Sequence, residues 1–298
     1  NGTEGDTYNT MADCVFQFLA MAKRLKFEIS NKTGIVSSQM KISLRLQKEL
    51  STYGYNFQVA DHARDLGITF NASKSKPNNL LKARLRNTQP RITKIKSLAV
   101  INSRTINLYK ASGFTASTWG HQVCGLTSKE VDGIEKDALA CSGFNKPGRC
   151  RISALILEFG QEHVPVATII RETTQAWFDV VRTCIRCGEL ANLRGCWKEA
   201  LNDIKQTTNP NKNIKGIMTN MIALLVAGGW DPRHCDKWYD HEGSLFVLNQ
   251  QLPSTFISKA LTKSYIEKCL TRAESHFQGG GDEIWSKLGT NFIFTKIF

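Results

Sequence analysis

Apolar positions recur at helical spacing from the start of the chain. Met11, Val15, Phe18, Leu19, Ala22 and Leu25 predict a helix over 8–25. The alternating run Lys26-Phe27-Glu28-Ile29-Ser30 predicts a short strand. Asn31-Lys32-Thr33-Gly34 reads as a turn, and Ile35-Val36 starts a second strand. Met40, Ile42, Leu44, Leu46 and Leu50 predict a helix over 38–51, which Tyr53-Gly54-Tyr55 breaks. Phe57 to Ala60 and Leu66 to Phe70 read as a pair of strands. Pro77 opens a long helical region. Pro90 then precedes a second helix, with Ile92, Ile95, Ala99 and Ile106 inward and Arg91, Lys94 and Arg104 more outward. A bend at Gly120 and Gly125 leads to a helix over 127–141. Beyond the linker candidate Lys146-Pro147-Gly148, helices are predicted over 151–159, 164–187, 190–206, 213–227 and 254–277. Asn209-Pro210-Asn211 and Gly279-Gly280-Gly281 punctuate them. No fixed-period repeat argues for a solenoid. The expected class is α+β, mostly helical. A small β-hairpin region over 1–76 comes first, then basic helices over 77–148 and a helical region over 149–298.

The 298 residues suggest one large or two modest domains. A hydrophobic content of 41% with 22% charge lets the chain bury a core and rules out wholesale disorder. The longest apolar run, Met221 to Ala227, falls far short of the ~20 residues of a membrane span, so no membrane partner is expected. The start, Asn1-Gly2-Thr3-Glu4, has no initiator Met, basic n-region or apolar h-region; it reads as the interior of a longer polypeptide. Nine cysteines, an odd count in a long chain, point to a reduced compartment, hence an intracellular protein, nuclear or cytoplasmic. The sequons at Asn1, Asn31 and Asn71 are short matches that carry no weight without a signal peptide.

Charge changes the picture more. The net charge is +13, and it is concentrated. Between Asp65 and Glu130 lie 64 residues with no Asp or Glu. That stretch holds eleven basic residues: Lys74, Lys76, Lys82, Arg84, Arg86, Arg91, Lys94, Lys96, Arg104, Lys110 and Lys129. A field of one sign over such a length attracts a polyanion, and nucleic acid phosphate is the usual one. The bland reading is a solvated basic face. The complete lack of compensating acids favours phosphate contact.

Three segments, in order, resemble a known family. The run Met21-Ala22-Lys23-Arg24-Leu25-Lys26-Phe27-Glu28-Ile29-Ser30-Asn31-Lys32-Thr33 is similar to motif D of the reverse transcriptases of non-long-terminal-repeat retrotransposons. In that family a helix leads through an apolar strand into a Lys-Thr turn. This sequence departs from it: Ile29 stands where the family's Asn falls, and Asn31 directly precedes Lys32. Ala63-Arg64-Asp65-Leu66-Gly67-Ile68-Thr69-Phe70 resembles motif E, the Leu-Gly hairpin of the primer grip. Leu108-Tyr109-Lys110-Ala111-Ser112-Gly113-Phe114 and Thr118-Trp119-Gly120 resemble the segment after the thumb helices. The resemblance covers roughly residues 8–140.

It implies a palm remnant over 1–76, a thumb-like basic domain over 77–148 and a following region of open role over 149–298. Lys32 would neutralise or protonate the leaving pyrophosphate. Leu66 and Gly67 would approach the primer. Lys74, Lys76, Lys82, Arg84, Arg86, Arg91, Lys94, Lys96 and Arg104 would track the phosphates of an RNA or DNA template–primer without reading sequence. A second departure decides the enzymology. The family's metal-binding Asp pair lies just upstream of the first helix, and no Asp-Asp pair occurs here; Asp6 and Asp13 are isolated. Without converging carboxylates no two-metal site forms, so no cofactor is expected in this chain. Magnesium is expected only in an intact polymerase, with the upstream polymerase half as the missing partner. The chain then reads as a fragment of an RNA-directed DNA polymerase, inactive alone. The alternative is a non-catalytic, nucleic-acid-binding helical protein. A third reading is a helical interaction protein with a basic face.

Two further constellations carry weaker signals. Cys184 and Cys187, with Cys196 and His234-Cys235, could supply zinc ligands. The second pair lacks standard spacing, and buried free cysteines on a helix are common. Trp230-Asp231-Pro232 through Trp238-Tyr239-Asp240-His241-Glu242-Gly243 could hold a ribonuclease H-like strand carrying Asp240. It reads better as a loop packing two tryptophans against helices.

Overall fold

The computed structural model describes residues 4–30, 33–37, 39–60, 62–65, 68–71, 78–102, 104–143, 150–206, 214, 216–248 and 252–277. It is mostly helical with a few short strands, the α+β class expected from the pattern. Two compact units divide it, Asn1–Pro77 and Asn78–Phe298.

In the first unit, α1 (Glu4–Arg24) and α2 (Met40–Thr52) bury Tyr8, Ala12 and Leu19 against Ile42, Leu46 and Leu50. The Tyr8 hydroxyl donates to the Glu49 carboxylate, and the Arg45 guanidinium lies 3.8 Å over the Tyr8 ring. Ile35 and Phe57 close this small core. They flank α2 on β1 (Gly34–Val36) and just before β2 (Gln58–Ala60), which pair in parallel from Gly34↔Gln58 to Val36↔Ala60. A parallel pair needs a crossover, and α2 supplies it. Residues 57–60 therefore do not pair with the strand after Leu66, as the pattern suggested. That strand, β4 (Ile68–Asn71), instead forms an antiparallel hairpin with β3 (His62–Asp65).

The expected strand at Lys26–Ser30 is absent. Lys26 takes the left-handed conformation, φ 58°. Its N–H donates to Lys23 O, and the Phe27 N–H reaches back to Ala22 O at 2.9 Å. These bonds satisfy the last carbonyls of α1, so the chain caps a helix where alternation alone suggested a strand.

In the second unit the periodic segments become α3 (Asn78–Ala99), α4 (Thr105–Leu108), a π-helical turn Tyr109–Phe114, α5 (Thr115–Thr118), α6 (His121–Cys124), α7 (Ser128–Cys141), α8 (Arg151–Phe159), α9 (Pro165–Arg186), α10 (Leu190–Lys205), α11 (Ile217–Gly228) and α12 (Ser254–Phe277). A two-strand hairpin, β5 (Lys237–Tyr239) with β6 (Leu245–Val247), precedes α12. Pro90 lies inside α3 and does not divide it, a correction to the two-helix expectation. The side of the helix at Pro90 is exposed, so a carbonyl left without its N–H partner there can turn to water.

The core gathers on α9, which buries Val166, Ala167, Ile169, Ile170, Trp177, Phe178 and Val181. Residues of α7, α8, α10, α11 and α12 belong to the same core, so it runs continuously across the boundary expected after 148; Lys146-Pro147-Gly148 itself lies outside the described residues. The α6–α7 corner turns at Gly125, φ 64°, where a Cβ would come within 2.3 Å of Ile214 Cγ2. Asn220 Nδ2 fastens that corner, donating to His121 O at 3.0 Å and Gln122 O at 3.1 Å.

Three indole N–H groups tie segment 230–238 into the unit, and a fourth closes the segment on itself. Trp177 donates to Cys235 O at 2.9 Å, Trp197 to Pro232 O at 2.7 Å, Trp238 to His234 O at 3.0 Å and Trp230 to Ser264 Oγ at 3.0 Å. The Trp177 and Trp197 rings lie 4.9 Å apart. Replacing Trp177 by Phe leaves the Cys235 carbonyl without its donor. The expected cost is about 1–3 kcal/mol, read from the urea unfolding midpoint; a midpoint equal to the wild type's contradicts this role.

Candidate nucleic-acid interface

α3 carries most of the predicted phosphate-binding residues, and its own packing decides where they point. Leu81, Thr88, Ile92, Ile95 and Ala99 are buried, a stripe at alternating spacings of three, four and seven. Charged groups are excluded from that stripe and fall on its two flanks. Lys96, together with Gln89, lies on one flank. There Lys96 Nζ pairs with Asp137 of α7 at 2.7 Å, and Gln89 Nε2 donates to the same carboxylate at 3.1 Å. Lys96 is thus engaged in a helix–helix ion pair. Lys82 and Arg86 are exposed further round this side.

Arg84 and Arg91 lie on the other flank, two turns apart and so about 10.5 Å along the axis. They border a groove of about 590 Å³ whose far wall is Ala111, Ser112, Thr115, Ala116 and Trp119. The Arg84 guanidinium donates to the Trp119 carbonyl. The Trp119 side chain stays in solvent, 56% exposed. Among the described residues no carboxylate pairs with Arg91, and none lines the groove.

The far wall is shaped by the π-helical turn. A Cβ at Gly113 would lie 2.9 Å from Tyr109 Cδ2, so only glycine lets that turn close over the Tyr109 ring. The Tyr109 hydroxyl donates to Ile134 O at 2.8 Å, anchoring the wall to α7. Ser112 and Thr115 hydroxyls donate back to Leu108 O and Ala111 O. Lys94 and Arg104 are exposed away from this wall's backbone contacts, and Lys110 lies 4.8 Å over the Phe159 ring.

Lys32, Leu66, Gly67, Lys74 and Lys76 lie outside the described residues. The hairpin that Leu66-Gly67 connects is present as β3 and β4. The structure thus brings Arg84 and Arg91 together, and sets Lys82, Arg86 and Lys96 on a different side of the same helix. Trp119 was not singled out as a contact from the sequence. Its signal was there: one tryptophan within an acid-free, basic stretch.

The remaining constellations resolve structurally. Cys235 is buried, Cys184 half-buried, Cys187 and Cys196 exposed, and all nine cysteines are free. Burial pushes the Cys235 thiol up to about 12. Among the described residues no three His, Cys, Asp or Glu side chains cluster as metal ligands. The Asp240 carboxylate accepts from Glu242 N and Ser244 N, at 3.0 and 2.8 Å, and so shapes the β5–β6 turn. Trp230 and Trp238 are buried, as expected of two packing tryptophans, but Trp238 lies on the strand β5 and not in a loop. His121 is buried with Nδ1 2.8 Å from Thr118 O, so that nitrogen carries the proton. Burial holds its pKa below the usual imidazole range, even with the Glu172 carboxylate 3.8 Å from Nε2. No helix among the described residues is long and apolar enough to cross a membrane. Compared with protein families, characterised proteins and solved structures, the chain matches none.

Two tests follow from this geometry. Gly113→Ala forces Tyr109 to move and is expected to cost about 1–3 kcal/mol in thermal unfolding; an unchanged transition contradicts the close approach. The second concerns Glu135, buried on α7 beside Arg151 at 3.1 Å, with Asp132, Tyr265 and Cys269 nearby. Burial outweighs the guanidinium and raises its carboxyl from 4.5 to about 7. The folded state therefore holds this proton more tightly than the unfolded one. Its contribution is complete below pH 4.5 and is lost as pH rises through 7. Glu135→Gln is expected to flatten that decline in denaturant midpoints; parallel profiles for the two proteins contradict it.

Proposed function

We propose that this chain binds nucleic acid through the Arg84–Arg91 flank of α3, as the thumb-like part of a retroelement reverse transcriptase holding template–primer. The observation that carries the reading is the groove itself. Two arginines from the acid-free stretch border a groove that is also lined by Ala111, Ser112 and Trp119, from the segments 108–114 and 118–120 that supply the family resemblance, and by Thr115 and Ala116; the Trp119 side chain is exposed. Lys94 and Arg104 add exposed cations in the same acid-free stretch. Backbone phosphate is the matching ligand, because the cations are arrayed along a helix without side chains positioned to read base edges. The reading assigns binding to this chain and no phosphoryl transfer step.

Two observations favour a second reading. A palm remnant calls for a strand at 26–29, and the chain there forms a capped turn instead; the 57–60 strand pairs with Gly34–Val36 and not with the strand after Leu66. A nucleic-acid-binding helical protein without polymerase ancestry accommodates both.

Anisotropy titrations of an RNA–DNA hybrid across salt test the shared claim. Log affinity is expected to fall linearly with log salt, and Arg91→Ala and Lys94→Ala each to reduce the slope by about 0.9 for a duplex. Slopes equal to the wild type's remove the proposed contacts. A preference for the hybrid over B-form DNA is expected of a template–primer holder; equal affinity for the two favours the second reading.

A further inference from the structure

Trp119 differs from the other described tryptophans. Trp177, Trp197, Trp230 and Trp238 are buried. Trp119 keeps more than half its surface in water. Its backbone is nonetheless fixed: its carbonyl accepts from Arg84, and the preceding carbonyl, Thr118 O, accepts from His121 Nδ1. The next residue, Gly120, turns the chain at φ 77° into α6. A rigidly based aromatic ring left open to solvent is a preorganised stacking surface.

The groove beside it combines two chemistries. Ala111 and Ala116 give an apolar floor, and Arg84 and Arg91 border it with positive charge. An inorganic anion has no use for the floor, and an apolar peptide has none for the arginines. A nucleotide uses both, its base against the indole and its phosphate at the guanidinium of Arg91. The groove, about 590 Å³ and open to solvent, has room for a single nucleotide. Within a duplex both faces of every internal base are covered by neighbours, so Trp119 finds a free face only at a duplex end or where a strand is unpaired, and an unpaired base can also bring its phosphate to Arg91. Ser112 and Thr115 point their hydroxyl protons at backbone carbonyls, which leaves little to distinguish one base from another.

We propose that the groove between α3 and α5 seats one unpaired nucleotide of a single-stranded overhang, stacked on Trp119 and held at its phosphate by Arg91, without base specificity. This rests on the nucleic-acid reading above and adds to it a strand state.

The test uses the full chain and two RNA–DNA hairpins identical except for a short single-stranded overhang, titrated by anisotropy. The wild type is expected to bind the overhang form more tightly than the blunt form. Trp119→Ala is expected to lose that increment, roughly five- to hundredfold, and to weaken the blunt form by a clearly smaller factor. Trp119→Phe restores much of it. Arg91→Ala weakens both forms, and more so the overhang form. The proposal is overturned if the wild type binds both hairpins equally, if Trp119→Ala weakens both by the same factor, or if Trp119→Phe behaves as Trp119→Ala. Salt-dependent blunt binding without an overhang effect removes the seat and leaves the nucleic-acid reading standing. Failure to bind either hairpin removes both.

Discussion

Burial of one face of α9 is the constraint on which the second unit depends. Twenty-two residues long, this helix places Ile170 and Trp177 wholly out of solvent, with Phe178 and Val181 almost so. No single neighbour can cover such a stripe, so α6, α7, α10, α11 and α12 all pack on it. The indoles of Trp177 and Trp197 then do what aliphatic side chains cannot. They fill the largest volumes in the core and also satisfy carbonyls of the 230–238 segment, which would otherwise be desolvated without partners.

The candidate interface follows from that core indirectly. α7 joins the α9 core through Ile134, Ala138 and Leu139, and α3 lays its apolar stripe on α7 and the π-helical turn. With that face of α3 apolar, its cations are confined to the flanks. One flank meets Asp137, a carboxylate from beyond the acid-free stretch, and part of the field is neutralised there. The other meets a wall that contributes hydroxyls, alanines and an indole and, among the described residues, no acid. The asymmetry between the two flanks turns a basic helix into a directional surface.

Much of the helical framework was legible because it rests on local periodicity. The helices at Ser128–Cys141, Arg151–Phe159, Pro165–Arg186, Leu190–Lys205 and Ser254–Phe277 agree with expectation to within a residue or two, since each buries one face. The failures share a cause as well. Lys26–Ser30 alternates like a strand, but has no partner strand, and the unsatisfied carbonyls at the end of α1 claim its N–H groups. Pro90 looks like a boundary, yet packing of Ile92 and Ile95 on the same face as Leu81 keeps the helix whole across it. The strand at Gln58–Ala60 pairs with Gly34–Val36 because α2 returns the chain in the same direction, a matter of three-dimensional connection that no strand pattern encodes.

From the amino-acid order alone came the helical class, most helix positions, and the concentration of positive charge between Asp65 and Glu130. Those are properties of neighbours a few residues apart, where spacing and charge add up along the chain. Which cations are compensated, and which face an open groove, depended on groups far away in sequence. Asp137 reaches Lys96 over 41 positions, and Trp119 meets Arg84 over 35. Only the folded arrangement brings such groups within hydrogen-bonding range, where interactions between side chains are strong enough to select one flank of a helix over the other.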